Sequence, residues 1–197
     1  MKIGRLFLRL TIGGLFIGHG LQKLLGWFGG YGIEGTGGFF ESIGLRPGKA
    51  NAIAAGVSET AGGAMLAAGA ATPLAASTLI ATMLTAINRV HLKNGPWVSN
   101  GGYEYNLVLI AAVTALVEVG PGPLSVDEAL GKEVHGAGWA LAALLAGAAG
   151  AAGAHYIAES QQPPEPTVAT ASVVDSGTVG EPAVAAVPGQ DGGDSAA

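Results

Sequence analysis

Residues 50–71 read ANAIAAGVSETAGGAMLAAGAA, a run of Ala, Gly and small apolar side chains whose single charge is Glu59. Its length suits a helix crossing the hydrocarbon core, which needs about 20 residues. A carboxylate in the middle of such a helix costs roughly 2.5 to 3.5 kcal/mol even on lenient insertion scales, so it faces a bundle interior and is paired or used. Fold and function both turn on what Glu59 faces.

The pattern recurs along the chain. Of 197 residues, 49% are hydrophobic and only 12% charged, with mean hydropathy +0.45. An average globular domain carries about 25% charged residues. The apolar blocks are broken by Gly, Ala, Ser and Thr instead, which predicts an all-α, polytopic transmembrane protein: a four-helix bundle with an additional fifth helix and a disordered C-terminal tail. The first span covers residues 6–28. It resembles a signal peptide, but no A-x-A site follows and His19, Gln22 and Lys23 occupy the cleavage region, so it reads as a retained helix. A Gly-rich loop at 29–49 carries Phe39-Phe40, a pair suited to the membrane interface. The second span is 50–71. Thr72-Pro73 turns the chain into the third, 74–89, and a polar connection at 90–102 leads to the fourth, 103–119, which Gly120-Pro121-Gly122 stops. After a short polar stretch at 125–133, the Ala/Gly-rich segment 136–158 is the fifth. The domain division is therefore a core at 1–133, an appended helix at 134–158 and a tail at 159–197.

The chain has no cysteine. Disulfides, thiolate metal sites, an iron–sulfur cluster held by this chain and thiol redox steps are excluded, so any redox chemistry needs a bound cofactor or a partner. Six acidic residues follow Tyr156 with no Lys or Arg among them, which gives the tail −6 and the rest +1. The acidic balance belongs to the tail. A tail of Pro, Ser, Thr, Gly, Val, Ala and acid, without aromatics, buries too little apolar surface to fold. The sequence points to no metal site and no nucleic-acid partner. Gly35-Thr36-Gly37-Gly38 lacks a Walker lysine and follows no strand, so it is no phosphate loop.

Chain direction gives Glu59 its neighbours. Let side A hold the N-terminus and side B the loop after the first helix. His19 lies nine residues before Phe28 and Glu59 nine residues after Ala50, so at 1.5 Å per residue both sit about 13 Å from side B. Lys23 shares the His19 face, with Gln22 beside it. The third span brings Thr78, Thr82, Thr85 and Arg89 along one stripe, with Asn88 and His91 at its end. The fourth span opens with Glu104 and Asn106. These residues form one candidate polar cluster at side B: His19, Gln22, Lys23, Glu59, Asn88, Arg89, His91, Glu104 and Asn106. The expected partners of Glu59 are Lys23, Arg89 and His19. Each group also has a plainer reading: Lys23 snorkels, Arg89 and Lys93 flank a helix, and the threonines bond their own backbone. His19 and His91 differ in depth, which argues against joint axial ligation of a haem. Near side A, Arg9 and Glu118 pair with each other or snorkel. Gly14-x-x-x-Gly18 and Gly62-Gly63 are small surfaces for close helix packing.

Gly18-His19-Gly20-Leu21-Gln22-Lys23-Leu24, Glu59-Thr60-Ala61-Gly62-Gly63, Gly102-Tyr103-Glu104-Tyr105-Asn106-Leu107 and Gly120-Pro121-Gly122-Pro123-Leu124-Ser125-Val126-Asp127 together resemble the DoxX family over residues 1–130. The resemblance implies a four-helix protein of the bacterial inner membrane, related to the membrane subunit of thiosulfate:quinone oxidoreductases. It also implies, for some actinobacterial members, a part in oxidative-stress defence through superoxide dismutase and a sulfurtransferase. The fifth helix and the tail depart from that pattern.

Two functional readings follow. In the first, the chain is a redox-linked subunit whose side-B pocket binds a quinone: His19, Lys23 and Arg89 donate hydrogen bonds and Glu59 relays protons. In the second, it is a non-enzymatic scaffold that anchors soluble redox or detoxification partners through its loops or tail. A transporter ranks last, since four or five short helices without broken-helix repeats would have to assemble as a homo-oligomer. Basic residues fall on both sides, so orientation stays open; those before the first helix favour a cytoplasmic N-terminus. Five spans would then place the tail outside and four would place it in the cytoplasm.

Overall fold

A computed structural model describes residues 3–162, and every regular element within them is helical. The tail assigned as disordered lies outside the described residues from position 163 onward. Helix α1 is Ile3–Leu25, α2 is Gly32–Ser42 and α3 is Gly48–Ala68. Helix α4, Thr72–Ala86, carries Pro in its first turn and continues through a widened π turn, Ile87–His91. Helix α5 is Glu104–Val119, the short α6 is Val126–Ala129 and α7 is Ala137–Ser160.

The stops are chemical. At the end of α3, Gly69 takes φ 64° and its amide donates to the Leu66 carbonyl at 3.0 Å, a left-handed cap that an L side chain resists. Gly120-Pro121 ends α5, because proline cannot continue the hydrogen-bond ladder. The expectation of a loop over residues 29–49 is corrected: eleven of them form α2, which buries Thr36 and Gly37 and packs on α3 and α1. Tertiary packing supplies what a glycine-rich stretch lacks in helix propensity.

Helix α1 packs most extensively along α3, and α4 along α7; α3 meets α4, α4 meets α5, and α5 meets α7. The Ala and Gly face of α7 is what lets it fit. Ala140, Ala143, Gly147 and Ala151 are buried, and a Cβ at Gly147 would lie 2.5 Å from Cγ2 of Ile80. The shared core contains Phe16, Leu66, Leu79, Ile80, Val113, Leu116 and Val117.

The α1–α3 contact is backbone on backbone. A Cβ at Gly13 would lie 2.5 Å from the Gly63 carbonyl oxygen, one at Gly63 would lie 2.6 Å from the Gly13 oxygen, and one at Gly20 would lie 2.6 Å from the Gly56 oxygen. Gly63 therefore packs as expected, but Gly14 and Gly18 do not, since a Cβ at either meets nothing within 4 Å. The packing face of α1 is instead the one that carries Gly13 and Gly20. These are seven apart, two helical turns on one face.

One described helix, Ala137–Ser160, is both long and apolar enough to cross a membrane by those two measures alone. Helices α4 and α5 have 15 and 16 residues, and α1 carries Arg5, Arg9 and Lys23. Large apolar side chains off the cavity nevertheless face outward on four of the five long helices: Phe7 and Leu10 on α1, Ile53 and Val57 on α3, Leu107 and Val108 on α5, and Leu141 and Leu145 on α7.

Candidate functional site

The side-B half of the helices encloses a cavity of about 790 Å³, within the usual range for small-molecule pockets. Its wall is mostly apolar, with Leu15, Phe16, Phe39, Phe40, Ile43 and Leu45 from α1, α2 and the turn after α2. Thr78 and Thr82 add hydroxyls that donate to their own helix carbonyls, Ala75 and Thr78, at 2.9 and 3.0 Å. Those hydroxyls are already spent on the backbone, the plainer of the two readings the sequence allows.

Glu59 sits in this wall, 3% exposed. Lys23 reaches it: Nζ lies 2.6 Å from Oε2, and the same ammonium donates to the His19 carbonyl at 3.3 Å. Helical side chains lean toward the N-terminus of their helix, so the lysine folds back over one turn of α1 to meet a carboxylate deeper in the bundle. The two partners differ. The Lys23 side chain keeps 22% of its exposure while that of Glu59 keeps 4%.

Six of the nine residues of the candidate cluster line the cavity: His19, Lys23, Glu59, Arg89, His91 and Asn106. His19 is on the exposed rim. It makes no hydrogen bond or ion pair to Glu59 among the described residues. His91 Nδ1 donates to the Gly101 carbonyl at 2.8 Å, which ties the end of α4 to the start of α5. The Asn106 amide is buried and donates to the Met83 sulfur at 3.3 Å. Gln22, Asn88 and Glu104 lie off the cavity wall. Gln22 donates to the Phe28 carbonyl and lines a second cavity of about 620 Å³ that shares Lys23, Phe39 and Phe40. Asn88 is exposed, and a Glu104 carboxylate oxygen accepts from the Val98 amide at 2.6 Å, closing the preceding loop.

Arg89 does not pair with Glu59. Its Nη2 lies 3.8 Å from Oε1 of Glu159 on α7, and Arg89 itself sits in the π turn that ends α4.

Side A is a clasp. Arg9 is 1% exposed and spends its guanidinium on three backbone carbonyls: Ala67 at 2.9 Å, Pro121 at 2.7 Å and Leu124 at 2.8 Å. Arg5 donates to the Val119 carbonyl at 2.7 Å. The expected Arg9–Glu118 pair is corrected: Glu118 is exposed and no ion pair joins it to Arg9 among the described residues. Helix C-termini carry unsatisfied carbonyls and partial negative charge, so the ends of α3 and α5 take the arginine instead. Gly69 makes room, for a Cβ there would lie 2.7 Å from Arg9 Nη1. Asp127 completes the clasp. Its buried carboxylate accepts from the Ala71 amide at 2.7 Å and from the Thr72 amide and hydroxyl at 3.0 and 2.9 Å, capping α4 from 55 residues away. Sequence reasoning missed both roles. The only signal was a buried-depth arginine on α1 and an Asp after a Gly-Pro turn.

Among the described residues, no three His, Cys, Asp or Glu side chains come together as a metal site requires. A sequence model of the family described as DoxX matches residues 4–92, from α1 through the π turn. A Bacillus subtilis (strain 168) protein named "Putative oxidoreductase CatD" is 38% identical over 115 residues, which cover 58% of this chain and 79% of the relative. No solved structure matches the chain. With the motifs seated around one cavity and one clasp, and that identity over most of the relative's length, the chain belongs to the DoxX family of membrane proteins.

Proposed function

We propose that this protein is a multi-pass component of the bacterial inner membrane whose side-B cavity binds a quinone, as a redox-linked subunit connected to sulfur or oxidative-stress metabolism. In this reading α1, α3, α4, α5 and α7 cross the bilayer. The outward apolar side chains on α1, α3, α5 and α7 support it, since soluble monomers rarely expose apolar surface so widely. Residues 1–133 form the family core, 134–158 an added helix and 159–197 an acidic tail.

The observation that carries the site is the Lys23–Glu59 ion pair set in the wall of a largely apolar cavity. Reducing a quinone to the quinol takes two electrons and two protons. The Lys23 ammonium donates a hydrogen bond to a ring carbonyl and stabilises the charge that develops on it, while Glu59 passes protons to the oxygen. The electrons come from a soluble redox partner or a further bound group, since the chain carries no cysteine. The relative's printed name, an oxidoreductase, agrees with this assignment. Solvent extraction of protein purified in mild detergent, followed by absorption spectra before and after reduction, tests it: bound quinone is expected in the wild type and a loss of affinity in Glu59→Gln.

The non-enzymatic scaffold is the second reading. It is favoured by the use of the 120–127 motif as a clasp, since part of the family signature then serves the fold alone. Removing residues 163–197 and measuring co-purification of soluble proteins separates the two, because quinone binding does not depend on the tail.

A further inference from the structure

Among the described residues, Arg89 is the cavity-lining Lys or Arg with buried nitrogens left without a hydrogen-bond partner. Its side chain is only 18% exposed. Nε and Nη2 are both buried without a hydrogen-bond partner among the described residues. Glu159, at 3.8 Å and 71% exposed, is too distant to accept one. Arg5 Nε and Arg46 Nε are also buried without a partner among the described residues, but neither residue lines the cavity; of the cavity-lining Lys and Arg side chains, Lys23 has Glu59, which sets Arg89 apart. Buried guanidinium nitrogens left without an acceptor are costly, and such a group in a folded protein calls for an explanation such as an ion or ligand.

The surroundings narrow the class. Arg89 sits in the π turn of α4, and turns of this kind concentrate at functional sites. His155 on α7, within electrostatic reach of Arg89 and Glu159, also has a buried ring nitrogen, Nε2, without a partner. The cavity wall that Arg89 shares also contains the apolar side chains Phe40, Ile43, Leu45 and Val90. A guanidinium fork matches the geometry of carboxylate and phosphate oxygens. A small inorganic anion would leave the apolar wall unused, whereas an amphiphile uses both parts.

We propose that the cavity at Arg89 is a binding site for the oxyanion headgroup of an acyl amphiphile drawn from the bilayer, with Arg89 as its anchor and the acyl chain against Phe40, Ile43 and Leu45. Arg89 lines the same cavity as Lys23–Glu59 but is a different anchor for a different ligand class, so the proposal goes beyond the quinone reading and is tested by its own substitutions. Glu159 competes with the headgroup for the same guanidinium.

The test uses the full chain in a neutral detergent, with binding read by native mass spectrometry and by ligand-dependent thermal shift. The probes are oleate, phosphatidylglycerol, phosphatidylcholine, acetate and inorganic phosphate. Saturable binding of oleate or phosphatidylglycerol is expected; the tighter of the two identifies the headgroup as carboxylate or phosphodiester. Arg89→Gln should weaken that binding at least tenfold, and Glu159→Gln, which leaves the anchor in place, should tighten it. Glu159→Gln also keeps the question decidable should Arg89→Gln fail to fold. The proposal is overturned if phosphatidylcholine binds as well as the anionic probes, if acetate or phosphate alone binds as tightly, or if neither substitution changes the affinity in the stated direction.

Discussion

Lys23 and Glu59 make one ion pair, but the structure assigns unequal costs to losing either member. Lys23→Met leaves Glu59 behind at 3% exposure with no other cation within hydrogen-bond reach among the described residues. Breaking a buried pair from that side costs about 3–5 kcal/mol. Glu59→Gln leaves Lys23, whose side chain keeps 22% of its exposure and a second acceptor in the His19 carbonyl. The ammonium can swing back toward side B, so the loss falls to about 1–2 kcal/mol, near that of a single charge-assisted hydrogen bond. The double variant leaves no buried charge and should recover most of the Lys23→Met penalty, a coupling of about 2 kcal/mol or more in a double-mutant cycle. Equilibrium unfolding in mixed micelles, followed by far-UV circular dichroism, measures all four proteins. Equal destabilisation by the two single changes, or additive behaviour in the double, would refute the asymmetric pair.

Other expectations follow from the same geometry. Arg9→Met strands three carbonyls in a buried clasp and should destabilise by more than about 3 kcal/mol in the same unfolding assay; Arg9→Lys should recover little, since an ammonium cannot span three acceptors set by a planar fork. Gly13→Ala forces a Cβ against the Gly63 carbonyl and should cost about 1–3 kcal/mol, while Gly14→Ala, with open space around it, should be neutral or stabilise by about 0.5–1 kcal/mol. The chain has no native cysteine, so single-cysteine reporters fix its sides. Five crossings predict that Asn100→Cys and Gln162→Cys are labelled by an impermeant maleimide from one face of the membrane and Lys132→Cys from the other; labelling of Gln162→Cys with Lys132→Cys would mean four crossings.

Helix order and the Glu59 partnership were readable because each rests on a periodic or directional rule. Gly and Pro stops mark the ends of α3 and α5, and alternating direction with a fixed rise puts Lys23 and Glu59 in the same half of the bundle. Arg9 was not readable. Its partners are backbone carbonyls at helix ends, which carry no residue signature, so an opposite charge at similar depth, Glu118, looked the better match. Asp127 escaped for a related reason: its ligands are the amides of a turn 55 residues away. The α1 packing face was misread because Gly13, Gly14, Gly18 and Gly20 offer two small-residue faces, and only Gly56 and Gly63 on α3 choose between them. Arg89 was drawn toward Glu59 by charge alone, whereas it sits in the π turn beside Glu159.

The most direct test of the central claim, that a quinone is bound against the Lys23–Glu59 pair, is a binding titration of purified protein in nanodiscs with a short-chain ubiquinone and a short-chain menaquinone. Saturable binding of one of them, weakened at least tenfold in Glu59→Gln and in Lys23→Met but unchanged in Asn88→Ala, which lies off the cavity, is the predicted result. No saturable binding of either quinone, or equal affinity in all four proteins, would contradict it.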